Sequence, residues 1–310
     1  MTYNYITANN GVGLSRDMKI FANACGFDNW SVESENPKFV DYFKKRVPPK
    51  ADVNIYFELI DKMYLKSADR HILIPNPEWF MPNWMPLLSK MDLVLCKTQH
   101  ALEVFSKYVG EKAVFIGFTS EDRYIKTEKK FNLPTLFMGK SMTKGAKPIY
   151  DASIKYGLPL LLLSNKKNQR WMKSGREVTV YAKRLEDNNF ACVQNSQGLH
   201  VCCSDYEGFG HYINEAKSTG AVIITTNYPP MNELCKKEFA FLVDTKPNRH
   251  MGVVDTCIVD VEDYKRVLRD VLKTDVQTLI KMGKAARKSF LHNDKLFKAR
   301  ISKLVSDGLL

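Results

Sequence analysis

The sequence predicts an α/β fold with parallel sheets, arranged as two similar halves. Three observations carry this prediction. Short apolar runs of strand length alternate with longer segments of helical period, the alternation stops at a polar, lysine-rich stretch and then restarts, and 310 residues suffice for two domains of ordinary size. With 45% hydrophobic and 26% charged residues the chain can build cores and is not a disordered polymer.

Taken in order, Asn10-Gly11-Val12-Gly13-Leu14 is a glycine turn that leads into a helix over 15–25. Strands are predicted at 53–57, 71–74, 93–96 and 113–116. A helix over 99–108 carries apolar Leu102, Val104, Phe105 and Tyr108. The stretch 120–132 is polar and lysine-rich, and Pro134 ends the interruption. Strands follow at 135–138, 160–163, 178–181, 200–203, 222–225 and 241–243, with helices over 148–156 and 212–218. From Val261 the tail is helical. The resulting division is a first domain at 1–125, a linker at 126–134, a second domain at 135–290, and a C-terminal helix at 291–310. Two readings of that helix remain open, packing back on the first domain or lying on an anionic membrane surface. Two such halves place a ligand in the crevice at the carboxyl ends of their strands.

The formal net charge of +12 would draw nucleic acid, an anionic membrane or phosphorylated small molecules. The lysines and arginines group at 126–130, 144–147, 166–176 and 281–300, without the interleaved aromatics of a nucleic-acid stripe, so no nucleic-acid partner is expected. No segment approaches the ~18 uninterrupted apolar residues of a membrane-spanning helix, and the N-terminus lacks the pattern of a secretory signal. Seven cysteines, odd in number and irregularly spaced, read as buried free thiols in a reducing compartment. A cytoplasmic protein is expected, with peripheral membrane contact as the alternative.

The most informative segment runs from Leu199 to Ala216. An apolar run, Leu199-His200-Val201-Cys202-Cys203, ends in the polar turn Ser204-Asp205-Tyr206-Glu207-Gly208-Phe209-Gly210, and a helix follows. Gly208 and Gly210 let backbone N–H groups approach a ligand, and the helix N-terminus behind them favours an anion such as phosphate. Glu207 lies in the turn and Glu215 about one turn into the helix. A carboxylate offers two acceptor oxygens to adjacent sugar hydroxyls. A lone glutamate here would simply solvate a helix; the whole string points to a site. His200, at the start of a strand, reads as structural, and His211 sits beside the glycines.

The string Glu207-Gly208-Phe209-Gly210, with Glu215 eight positions after the first glutamate, resembles the glutamate–seven residues–glutamate motif of retaining GT-B glycosyltransferases of the glycogen-synthase-like superfamily, especially glycosyltransferase family 4. The continuation 220–226 and Pro229-Pro230-Met231-Asn232-Glu233-Leu234 is similar to the same family. Upstream, Gly139-Lys140 with Lys144-Gly145 resembles the family's pair of cations that clamp the donor diphosphate, with Lys140 at a position usually held by arginine. Gly11-Val12-Gly13 resembles its N-terminal glycine loop. In Pro75-Asn76-Pro77-Glu78, Asn76 and Glu78 stand where many relatives carry a histidine near the transferred sugar; either residue contacts sugar or acceptor, or the prolines merely shape a turn.

The resemblance implies a GT-B architecture, two Rossmann-like domains with parallel sheets facing across a cleft. It implies a hexosyltransferase-type enzyme that retains anomeric configuration and needs neither metal nor cofactor, the nucleotide diphosphate-sugar being a substrate. In it Lys140, Lys144, Gly208, Phe209, Gly210, Glu215, Gly11 and Gly13 bind the donor, with Glu215 on the ribose. Glu207, Asn76 and Glu78 serve catalysis. The implied acceptor is a saccharide or a lipid- or protein-linked glycan. The alternatives are another GT-B enzyme, such as a nucleotide-sugar epimerase, and a catalytically silent sugar- or nucleotide-binding protein.

Overall fold

Residues 1–7, 13–26, 30–34, 48–138, 145–164, 171–182 and 185–310 are described by a computed structural model of the chain. They divide into two units, one of residues 1–119, 250–254 and 294–310, the other of 120–249 and 255–293.

The first unit begins with β1 (Tyr3–Thr7), followed by α1 (Gly13–Cys25), β2 (Trp30–Ser34), β3 (Val53–Phe57), β4 (Arg70–Ile74), β5 (Leu93–Cys96), α2 (Gln99–Val109) and β6 (Ala113–Phe115). All six strands are parallel, in the order β2-β1-β3-β4-β5-β6. The chain thus leaves β1 in one direction for β2 and returns on its other side for β3, so the order reverses between β1 and β3. The sequence pattern does not predict β1 or β2. In β1 the reason is chemical: Asn4 is fully inside the sheet, where it faces Asn54 of β3 in register. Its Nδ2 donates to Asn54 Oδ1 at 2.9 Å, and Asn54 Nδ2 donates in turn to Tyr64 O at 2.7 Å. This satisfied amide ladder interrupts the apolar run that would mark a buried strand. Tyr5, Phe21, Ile55, Phe57, Leu73, Phe80 and Phe105 form the surrounding core. Thr98 caps α2, its hydroxyl accepting from Ala101 N at 3.0 Å.

The second unit contains β7 (Thr135–Met138), α3 (Ala146–Tyr156), β8 (Leu160–Ser164), β9 (Val178–Tyr181), α4 (Asp187–Ser196), β10 (Leu199–Cys202), α5 (His211–Thr219), β11 (Val222–Thr226) and β12 (Ala240–Val243). Its strands are also parallel, in the order β12-β11-β10-β7-β8-β9. Here the reversal falls between β7 and β10. Aliphatic residues of β7, β8, β10 and β11 pack with α3 and with α6 (Val261–Lys273), around Ile149, Leu162, Val201, Ile224, Tyr264 and Leu268. β13 (Thr245–Met251) and β14 (Val254–Val259) form a two-stranded hairpin, which the sequence pattern misses because Thr245-Lys246-Pro247-Asn248-Arg249 is polar and largely exposed.

The 31-residue α7 (Val276–Ser306) closes the chain. From residue 294 onward it belongs to the first unit, where Phe297 packs on Phe118 at 5.0 Å and the Arg300 guanidinium lies over the Phe115 ring at 4.8 Å. All seven cysteines are free. Six are buried as expected, whereas Cys192, on the outer side of α4, is exposed. Among the described residues no helix is long and apolar enough to cross a membrane.

Candidate functional site

Strand order reverses between β7 and β10, and the carboxyl ends of the strands at such a reversal are where doubly wound sheets bind ligands. The loop after β7 carries the expected cations Lys140 and Lys144, which lie outside the described residues, as does Gly11 in the first half. The loop's last residue, Gly145, is described. Its φ is +59°, and a Cβ there would stand 1.9 Å from the Cys203 carbonyl oxygen. Only glycine permits this approach, which seats the start of α3 against the end of β10.

The loop after β10 is fixed from below by two hydroxyls of β11. Thr225 Oγ1 donates to Cys202 O at 2.8 Å and Thr226 Oγ1 to Ser204 O at 2.9 Å, while Cys257 N of β14 donates to Asp205 O at 3.0 Å. Ser204 Oγ then donates to Glu207 Oε1 at 2.6 Å and shares a second 2.6 Å hydrogen bond with Tyr212 OH. The Glu207 carboxylate is therefore oriented by its own loop. Asp205 is half-buried, and burial pushes its carboxyl up to about 6, Glu207 adding to the effect and Arg249 opposing it.

Gly210 forms the N-cap of α5 with φ +94°, and the helix has neither a side-chain cap nor an acidic residue in its first turn. Its N-terminal dipole is left to act on whatever stands in front of it. Phe209 is buried and meets the His211 ring edge-on at 5.4 Å. His211 Nδ1 is 2.8 Å from Ser120 Oγ, which anchors the start of the second unit. Glu215, the fifth residue of α5, is 8% exposed. Its Oε2 accepts a long hydrogen bond from Gln194 Nε2 at 3.3 Å, and Arg123 Nη2 stands 3.9 Å from Oε1. Glu207, Gly208, Phe209, Gly210 and Glu215 are thus gathered on one loop and one helix. Arg123 and Gln194 were not legible as partners of Glu215, because each comes from a distant stretch of sequence, and Ser204, though in the same turn as Glu207, carried no signal of its own. His200 is a core residue, as read: it is 1% exposed, packs on Phe137, and burial drives its imidazole down to about 3.

In the first unit Gly13 opens α1, whose Asp17 is paired with Lys97 at 2.7 Å beneath the surface. Asn76 precedes a short 3-10 turn at Pro77–Trp79, and both Asn76 and Glu78 are 8% exposed. Asn76 Nδ2 donates to Glu58 Oε2 at 2.7 Å. Glu58 is a residue that pattern reading passed over. The signal available for it was position alone, directly after a strand.

Two parallel, doubly wound sheets in one chain, one of them with the strand order of a dinucleotide-binding fold, define the GT-B class of architecture. No protein-family model and no curated protein matches the chain. Among solved structures it is similar to HepE of Anabaena in complex with UDP-glucose, at 13% identity and TM-score 0.72, covering 99% of this chain and 100% of that one. It is also similar to WaaG, described as a glycosyltransferase involved in lipopolysaccharide biosynthesis, at 12% identity and TM-score 0.62, covering 96% and 98%. A chain of the GtfA/B complex matches at 14% identity and TM-score 0.59 over 86% of this chain, which spans 59% of that longer chain. At these identities the likeness establishes the fold.

Proposed function

We propose that this chain is a glycosyltransferase that moves a hexosyl group from a nucleotide diphosphate-sugar to a saccharide or to a lipid- or protein-linked glycan, with retention of anomeric configuration. The observation that carries the reading is the setting of Glu207 and Glu215. Both stand on the loop and helix that follow β10, beside the point where strand order reverses, with an uncapped helix N-terminus between them. The fold's similarity to HepE, solved with UDP-glucose, and to the glycosyltransferase WaaG supports it.

In this reading the donor diphosphate lies in front of α5, held by its N–H groups and by Lys140 and Lys144. Breaking the sugar–phosphate bond builds negative charge on the leaving phosphate, and fixed positive ends aimed there stabilise it as it develops. Glu215 takes the ribose hydroxyls. Glu207, oriented by Ser204, contacts the transferred sugar. Asn76 and Glu78 serve catalysis by contacting the transferred sugar or the acceptor, and Gly11 and Gly13 help to bind the donor. No metal takes part, and the work is done in the cytoplasm, with peripheral contact to anionic lipid where the acceptor is membrane-borne.

The test is thermal stabilisation by a panel of UDP-, GDP- and ADP-sugars, followed by proton NMR of the product anomer with the donor that binds. A sugar nucleotide at 100 times its Kd raises stability by about 2.7 kcal/mol. Absence of stabilisation by every member of the panel would remove the reading; an inverted product would remove its retaining part.

A further inference from the structure

The first unit carries a second built constellation, at its own reversal of strand order between β1 and β3. Directly after β3 the chain turns on Glu58, with Leu59 N donating back to Phe57 O at 2.9 Å around it. Glu58 therefore occupies the centre of a γ-turn. Its φ is +71°, the one positive value at a non-glycine position among the described residues. That form of γ-turn is rare and strained for any residue with a Cβ, and glycine would adopt it freely. A glutamate nevertheless stands there. Its backbone is held by Glu58 N donating to Ile74 O at 2.9 Å, and its carboxylate Oε2 accepts from Asn76 Nδ2.

Asn76 supplies the independent observation. Its side chain is more than nine-tenths buried, its amide is pinned through Nδ2 to Glu58, and its Oδ1 has no hydrogen-bond partner. Because Nδ2 and Oδ1 share one planar amide, the orphaned acceptor lies beside the Glu58 carboxylate. A buried acceptor without a donor is costly in a resting protein, and a ligand that donates to it removes that cost. The loop is also stiffened from outside: Val253 N donates to Pro77 O at 3.1 Å, and a Cβ on Gly252 would stand 2.2 Å from that same oxygen. Burial pushes the Glu58 carboxyl above its ordinary range, while the Asn76 hydrogen bond and Lys97 pull it back down. Lys97 is itself committed to Asp17.

We propose that Glu58 and Asn76 form a subsite for two neighbouring hydroxyls of a neutral sugar ring, with Glu58 as the residue that fixes acceptor specificity. The pair presents two acceptors, one carboxylate oxygen and one amide oxygen, so the matching ligand presents two donors. A vicinal diol does so, and the anionic group of a phosphorylated sugar is repelled by the carboxylate. The proposal rests on the glycosyl-transfer reading, which it deepens by naming the acceptor chemistry.

Ligand-detected NMR with the methyl α-glycosides of glucose, mannose and galactose, and with glucose 6-phosphate, tests it on the full chain without turnover. At least one methyl glycoside is expected to bind saturably to wild type and more tightly than the phosphate. Glu58→Gln, which keeps one acceptor for Asn76 and turns the other oxygen into a donor, is expected to weaken that binding at least fivefold. Glu58→Gly relieves the turn and removes the carboxylate. It is expected to abolish binding while the Tm is held or raised, whereas a purely structural glutamate would lose Tm. Absence of glycoside binding in wild type, equal binding in both variants, or preference for the phosphate overturns the proposal. Loss of sugar-nucleotide binding by wild type would instead overturn the transfer reading, and the glycoside data would stand apart from it.

Discussion

At Lys217 the chain buries an ammonium completely, against the Phe239 ring at 5.6 Å and with a hydrogen bond to Leu234 O of only 3.4 Å. Desolvation lowers its pKa from 10.5 to about 8, which corresponds to about 3 kcal/mol of disfavoured charge. Between about pH 8 and 10.5 the unfolded chain holds the proton that the folded chain has released, so stability rises with pH across that window. Lys217→Met is accordingly expected to stabilise the protein by ~1–3 kcal/mol at pH 7, with the gain shrinking toward pH 10.5. Urea unfolding at the two pH values reads both numbers; a variant less stable at pH 7 would show that the ammonium has a stronger partner than Leu234 O. Glu215 is a different case, a buried carboxylate whose Oε2 accepts from Gln194 Nε2 at 3.3 Å and whose Oε1 stands 3.9 Å from Arg123 Nη2. Glu215→Gln, which keeps the shape of the side chain, is expected to weaken sugar-nucleotide affinity ~10–100-fold, as charge-assisted hydrogen bonds of about 1.5–3 kcal/mol are lost. Calorimetric titration measures the affinity, and unchanged binding would take Glu215 out of the donor site.

At the scale of elements, the close approach of Gly145 to Cys203 is what ties the loop after β7 to the loop after β10. Gly145→Ala is expected to cost about 2 kcal/mol or more, since it adds both a Cβ clash with a backbone oxygen and a strained φ. Denaturant unfolding gives the cost, and a loss under 1 kcal/mol would mean that the two loops separate freely. The elements that were legible in the sequence share one property, a local pattern strong enough to override context. β3 to β5 and β7 to β11 are apolar runs bounded by turn residues, and the apolar side of α2 repeats at helical spacing. β1 was not legible because the Asn4–Asn54 ladder replaces apolar contact with amide hydrogen bonds, and the β13–β14 hairpin because its exposed strand alternates no apolar face. The placement of the candidate site residues follows the same rule. Glu207 to Glu215 stood out because loop, glycines and helix are contiguous. Glu58 and its partner Asn76 lie 18 positions apart and meet only because β3 and β4 pair in the sheet.

For the molecule as a whole, the division into two parallel sheets fixes where reactive groups can stand. Six of the seven thiols lie in the cores, and burial pushes those of Cys25, Cys96, Cys235 and Cys257 up to about 12. Titration of the native protein with a thiol-specific disulfide reagent is expected to modify Cys192 alone at an early stage, and all seven after denaturation. Rapid reaction of a second thiol would place one of the core cysteines at the surface. The central claim, however, is that a sugar nucleotide's diphosphate lies before the N-terminus of α5. Hydrogen–deuterium exchange with the stabilising sugar nucleotide tests it most directly. Protection is expected to concentrate in peptides covering residues 204–216. Saturating ligand with no change in exchange there, and protection confined to other segments, would contradict it.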